Sequence, residues 1–131
     1  MKQVTDVKKR ILVVEDEKFL RDLYVQILSE EGYEVKPASD GEEGFSAMHE
    51  GGYDLVLLDI LMPKMTGLDI LHKLQKNPPL KPNSKIIFLT NLGQDSAIAQ
   101  GISLGVRGYL VKSDYTPDQI IKEVKNFLAE N

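Results

Sequence analysis

The chain has 131 residues, 42% of them apolar, which suits one domain with a sizeable core of its own. It contains no cysteine, so a disulfide framework and a thiolate-bound metal are excluded. A net charge of −4 argues against a nucleic-acid-binding surface, residues 1–6 carry no apolar targeting segment, and no stretch approaches transmembrane length. The expectation is a cytoplasmic protein without membrane insertion, a single domain over residues 1–131 with its core at about 9–129.

Lys8, Lys9 and Arg10 form the one basic run and read as a solvated lead-in to the first strand. Ile11, Leu12, Val13 and Val14 are that strand, and Glu15 and Asp16 end it. Leu20, Leu23, Tyr24, Ile27 and Leu28 recur at helical spacing, with Gly32 closing the helix. Glu34 to Pro37 is a weaker strand whose proline suits a sheet edge. Ser39-Asp40-Gly41-Glu42 resembles a capping box, opening a helix that stops near Gly51-Gly52. Leu55, Val56, Leu57 and Leu58 form a strand that ends at Asp59. Thr66 to Asp69 caps a third helix, which Asn77-Pro78-Pro79 terminates, and residues 77–85 read as a loop.

Ile86, Ile87, Phe88 and Leu89 form the next strand, ending at Thr90. A helix from about Gln94 to Leu104 follows, closed by Gly105. Tyr109, Leu110 and Val111 lead to Lys112, and Thr116-Pro117-Asp118-Gln119 starts the last helix with proline at its first position. Five alternations of strand and helix predict a doubly wound α/β fold with a parallel sheet. The order 2-1-3-4-5 is expected for five strands.

In an open parallel sheet the carboxyl ends of the strands line the ligand crevice. Glu15, Asp16, Asp59, Thr90 and Lys112 all stand at such ends. Three carboxylates placed together repel one another unless a cation offsets them. Magnesium accepts carboxylate oxygens and keeps several waters, so Glu15, Asp16 and Asp59 can supply or position its ligands. Asp59 follows four apolar residues, and no capping need accounts for it. A carboxylate can attack phosphorus to give an acyl phosphate. The charge on the transferring oxygens can be met by the cation, by Lys112 and by the Thr90 hydroxyl.

These residues resemble the receiver domain of two-component response regulators. The resemblance rests on Ile11 to Asp16 (ILVVED), Asp59 to Gly67 (DILMPKMTG), Phe88-Leu89-Thr90, and Gly108 to Lys112 (GYLVK). It implies a flavodoxin-like receiver fold and a phosphoprotein that serves as a switch rather than an enzyme, though it takes part in its own phosphorylation and dephosphorylation. Asp59 would be the phosphoacceptor. Magnesium would sit on Glu15, Asp16, Asp59 and the Leu61 backbone carbonyl, Thr90 and Tyr109 would form the switch pair, and Lys112 would bind phosphate. The implied partners are a histidine kinase or histidine phosphotransferase and a downstream protein, with the chain a monomer or weak dimer that makes no direct contact with nucleic acid.

The chain departs from that pattern at four positions. Asn91 stands where a small residue is usual, and Leu61 and Leu92 are apolar where many members are polar near the attacking water. Ser113 replaces a proline that is usually in a cis peptide, and a cis bond before serine would cost about 2.5–4 kcal/mol, so a trans bond is expected. His49 and His72 fall on predicted helices as solvated or half-buried positions, and Phe19 reads as peripheral packing. Met48, Met62 and Met65 read as gap-filling or loop residues.

Three other readings compete. A receiver excised from a regulator with a DNA-binding domain is disfavoured by Met1, by the lack of a linker after Asn131 and by Val106-Arg107-Gly108, where winged-helix regulators usually carry acids. A magnesium-dependent phosphohydrolase with an aspartate nucleophile would place a general-acid Asp where Leu61 stands. A nucleotide- or flavin-binding module would need a Gly-rich loop after a strand, and none is present.

Overall fold

A computed structural model describes residues 7–130. Residues 1–6, read above as lacking a targeting segment, lie outside the described residues, as does Asn131. The elements run β1 (Arg10–Val14), α1 (Lys18–Glu30), β2 (Glu34–Ala38), α2 (Gly41–Glu50), β3 (Leu55–Asp59) and α3 (Gly67–Lys76), then β4 (Ile86–Thr90), α4 (Asp95–Ser103), β5 (Gly108–Val111) and α5 (Pro117–Ala129). The five strands are all parallel, in the order β2-β1-β3-β4-β5. This is the predicted doubly wound sheet, with Pro37 on edge strand β2 opposite Val13.

Alternation along the strands divides the interior into two cores. Leu12, Val14, Val56, Leu58 and Phe88 face Ala47 and Met48 of α2 and Ile70, Leu71 and Leu74 of α3. Ile11, Val13, Leu55, Leu57, Ile87 and Leu89 face Tyr24 and Leu28 of α1 and Ile120 and Val124 of α5. A strand covered on both faces gains nothing from polar alternation, so β3 reads as an unbroken apolar run. Helix α4 is held differently. Gly101 is its one fully buried described residue, and a Cβ there would come within 2.0 Å of the Phe88 ring.

The caps at Thr66 and Thr116 are both complete boxes, with Asp69 and Gln119 reaching back to the cap N–H groups. The box expected from Ser39 to Glu42 is shifted. Asp40 is the N-cap and accepts from the Glu43 N–H, while Glu43 accepts from the Ser39 N–H and hydroxyl. The shorter carboxylate reaches the free helix donor, so the helix starts one residue later. Phe19 also departs from expectation. It is 71% exposed and does not pack at the periphery. His49 stacks on Phe45, and His72 is exposed. Met48 and Met62 are buried in the core.

Residues 77–85 form no helix, yet they are closely tied to the turn before β3. Gly51 and Lys81 make a parallel bridge, Leu80 N–H donates to His49 O at 2.8 Å, and Gly52 N–H donates to Pro82 O at 3.3 Å. The Asn83 side chain donates to Met48 O and accepts from Tyr53 N–H.

Candidate phosphoacceptor pocket

Parallel register brings the sequence-predicted residues together. Val14 pairs with Leu58, Asp59 with Leu89, and Thr90 with Val111, so Glu15, Asp59, Thr90 and Lys112 stand at neighbouring strand ends. Glu15 is fully buried, Asp59 is 2% exposed and Thr90 is 1% exposed, whereas Asp16 is exposed at the rim. One ligand oxygen from each of Glu15, Asp16 and Asp59 lies within 4.8 Å of the other two. Gly67 opens the way for α3 beside Asp59, since a Cβ there would come within 2.6 Å of the Asp59 carbonyl oxygen. In the loop between β3 and α3, Lys64 takes a left-handed φ of 71°.

Lys112 Nζ donates to Asp59 Oδ2 at 3.0 Å and lies 2.6 Å from Glu15 Oε1. The second contact is an ion pair by distance, but its direction is not that of a hydrogen bond, and Glu15 Oε1 is left without an aligned donor. The other Glu15 oxygen accepts from the Glu17 N–H at 3.1 Å. Burial, reinforced by the Glu15 carboxylate, pushes the Asp59 carboxyl up from 3.8 to about 7, against the pull of Lys112. Burial alone would lower the Lys112 ammonium, but Glu15 and Asp59 together outweigh it and raise its pKa. Two buried carboxylates thus share one ammonium, with Asp16 beside them. The ligand atoms on offer are all oxygens, so the cluster suits a hard divalent cation.

Thr90 Oγ1 donates to the Asn91 carbonyl oxygen at 2.9 Å. Tyr109 lies on edge strand β5, 48% exposed. Leu61 and Leu92, on the loops that follow β3 and β4, are 48% and 75% exposed. The Lys112–Ser113 peptide is trans, as expected, and Lys112–Asp114 form a 3₁₀ turn.

Sequence reasoning missed Arg21. Its Nη1 donates to the carbonyl oxygens of Glu15 at 3.0 Å and Asp16 at 3.3 Å. A signal was present. The first turn of α1 has no acid and carries a lysine, with Arg21 directly behind, where the helix dipole disfavours cations.

Residues 11–125 match the family model for the response regulator receiver domain. The chain belongs to the response regulator receiver family. It is 37% identical to the transcriptional regulatory protein DltR of Streptococcus agalactiae over 88% of its length, but spans only half of that protein. It is 33% identical to the chemotaxis protein CheY of Thermotoga maritima, covering 87% of this chain and 92% of CheY. Among solved structures, response regulator TrrA of Thermotoga maritima, in complex with magnesium and beryllofluoride, is 38% identical with a TM-score of 0.72. That match covers 90% of this chain and 97% of TrrA. This receiver contains no helix, among the described residues, long and apolar enough to cross a membrane.

Proposed function

We propose that this receiver accepts a phosphoryl group on Asp59 from the phosphohistidine of a histidine kinase or histidine phosphotransferase, in the cytoplasm, and so switches its affinity for a downstream protein. The observation that carries the reading is the buried Asp59 carboxylate held between Glu15 and Lys112 at the strand ends. Ionised Asp59 attacks phosphorus, the phosphorus–nitrogen bond breaks, and an acyl phosphate forms. Magnesium, on Glu15, Asp16, Asp59 and the Leu61 carbonyl, would neutralise charge on the transferring oxygens. The magnesium–beryllofluoride complex of TrrA supports that assignment. Lys112 supplies the second positive charge and remains on the phosphoryl oxygens after transfer.

The switch starts from Thr90. Its hydroxyl leaves the Asn91 carbonyl and donates to the phosphoryl group, and Tyr109 turns inward from its half-exposed position. The surface of α4, β5 and α5 changes as a shift between two populations. The chain acts as a phosphoacceptor and catalyses no turnover of another substrate. The same chemistry serves a single-domain switch or a receiver joined to an output domain.

The test is incubation with acetyl phosphate and magnesium, read by intact mass and peptide mapping. Wild type gains one phosphoryl group on Asp59, and Asp59→Ala gains none. Lys112→Ala keeps its fold and loses the conformational response to beryllofluoride. Equal labelling of Asp59→Ala would overturn the reading.

A further inference from the structure

The Asp16 carboxylate has no hydrogen-bond or ion-pair partner among the described residues. Its place near Glu15 and Asp59 is therefore set by its backbone alone. Three restraints act on that backbone. Glu15 N–H donates to Ala38 O at 3.1 Å, the Glu15 carboxylate accepts from the Glu17 N–H at 3.1 Å, and Arg21 binds the two consecutive carbonyls of Glu15 and Asp16. Only the last of these holds Asp16 itself. Arg21 makes no ion pair with Glu15 or Asp16 among the described residues, so its contact with them is through their main chain. It is half-buried on α1, and its own N–H donates to Glu17 O at 2.9 Å, so its base is fixed by the helix it reaches from.

We propose that Arg21 is a positioning residue for the cation site, pinning the β1–α1 turn so that Asp16 stays in reach of the cation that Glu15 and Asp59 share. This rests on the functional reading above. The guanidinium is suited to the task because Nη1 holds its two N–H groups in one fixed plane, one for each carbonyl, which an ammonium on a flexible stem does less rigidly. Groups that orient metal ligands without touching the metal typically change affinity about 10–100-fold when removed.

Two roles for Arg21 predict opposite signs. If it were only a nearby positive charge, removing it would tighten cation binding, because it repels a divalent ion. If it positions the turn, removing it weakens binding. The experiment is calorimetric titration of wild type, Arg21→Gln and Arg21→Lys with magnesium chloride, alongside hydrogen exchange of the metal-free proteins. Arg21→Gln should bind magnesium about tenfold more weakly. Arg21→Lys keeps the charge and should fall between Arg21→Gln and wild type. Exchange at the Glu17 and Lys18 amides should quicken in both variants, with the core strands unchanged. Unchanged or tighter binding by folded Arg21→Gln would overturn the proposal, as would a drop in Arg21→Gln fully restored by lysine. If Arg21→Gln does not fold, the decision falls to Arg21→Lys, for which wild-type affinity would overturn the proposal. Asp59→Asn separates the two readings. Wild type that binds no magnesium, or binds it equally with Asp59→Asn, overturns both readings, whereas binding weakened in Asp59→Asn but not in Arg21→Gln overturns the role of Arg21 alone.

Discussion

The two ends of the one sheet treat their polar groups in opposite ways. At the amino end each has an answering partner. Arg10 N–H donates to Asp54 Oδ2 at 2.8 Å, and the Arg10 guanidinium reaches Gly52 O and Glu34 and lies 4.6 Å over the Tyr53 ring. Buried Lys85 donates to the carbonyls of Phe127 and Glu130, satisfying the last turn of α5. At the carboxyl end Glu15 and Asp59 crowd one ammonium, Glu15 Oε1 lacks an aligned donor, and burial raises the Asp59 pKa to about 7. Satisfied polar groups stiffen a fold, whereas partly satisfied ones are tolerated where a ligand completes them. The contrast separates scaffold from site without reference to any relative.

The largest effect is expected at the scaffold end. Gly51 has a φ of +76°, and a Cβ there would come within 1.7 Å of the Lys81 carbonyl oxygen. Gly51→Ala should cost about 2–4 kcal/mol through left-handed strain and a backbone clash, read from the urea midpoint. Phosphoryl acceptance by the remaining folded protein should persist. Lys85→Ala removes the Lys85 donor from the carbonyls of Phe127 and Glu130 at the end of α5 and should cost about 1–3 kcal/mol, with hydrogen exchange quickening in the last turn of α5. A fall in Asp59 labelling in either folded variant would blur the contrast between the two ends.

Much of the pocket was legible because residue type and position coincided there. Leu55 to Asp59 is an apolar run broken by one acid, and buried parallel strands require such runs. Thr66 and Thr116 were legible as caps because a hydroxyl and its reciprocal partner recur at fixed spacing. Arg21 stood out only as a cation near the start of α1, and its partners were hidden because they are carbonyls, which every residue carries. The zipper between Gly51 and Lys81 was hidden for the same reason, and a loop between helix and strand gives no periodic signal. Lys85 falls at the end of a stretch that reads as a loop, and its carbonyl partners come from the far end of the chain.

The smallest effect concerns the lifetime of the phosphorylated state. Leu61 offers an attacking water no hydrogen bond, and Asn91 is bulkier than the small residue usual at its position. Leu61→Asn and Asn91→Ala should each speed decay of radiolabelled Asp59 phosphate about three- to tenfold, roughly 1 kcal/mol in the barrier, without slowing its formation. Unchanged decay in both would place the limit on water attack elsewhere.

The charge conflict at the pocket is tested most directly by thermal unfolding of wild type and Asp59→Asn across pH, with and without magnesium. Because folding raises the Asp59 pKa from 3.8 to about 7, its contribution to stability is complete below the lower value and is lost as pH rises through the upper one. Without magnesium, Asp59→Asn should unfold at a higher temperature than wild type at about pH 8, reflecting a stability gain of a few kcal/mol at most, and the gap should close as the medium is acidified. Saturating magnesium should raise wild type well above its metal-free midpoint and Asp59→Asn much less. An Asp59→Asn protein less stable than wild type at that pH, or an equal response of both proteins to magnesium, would contradict the account.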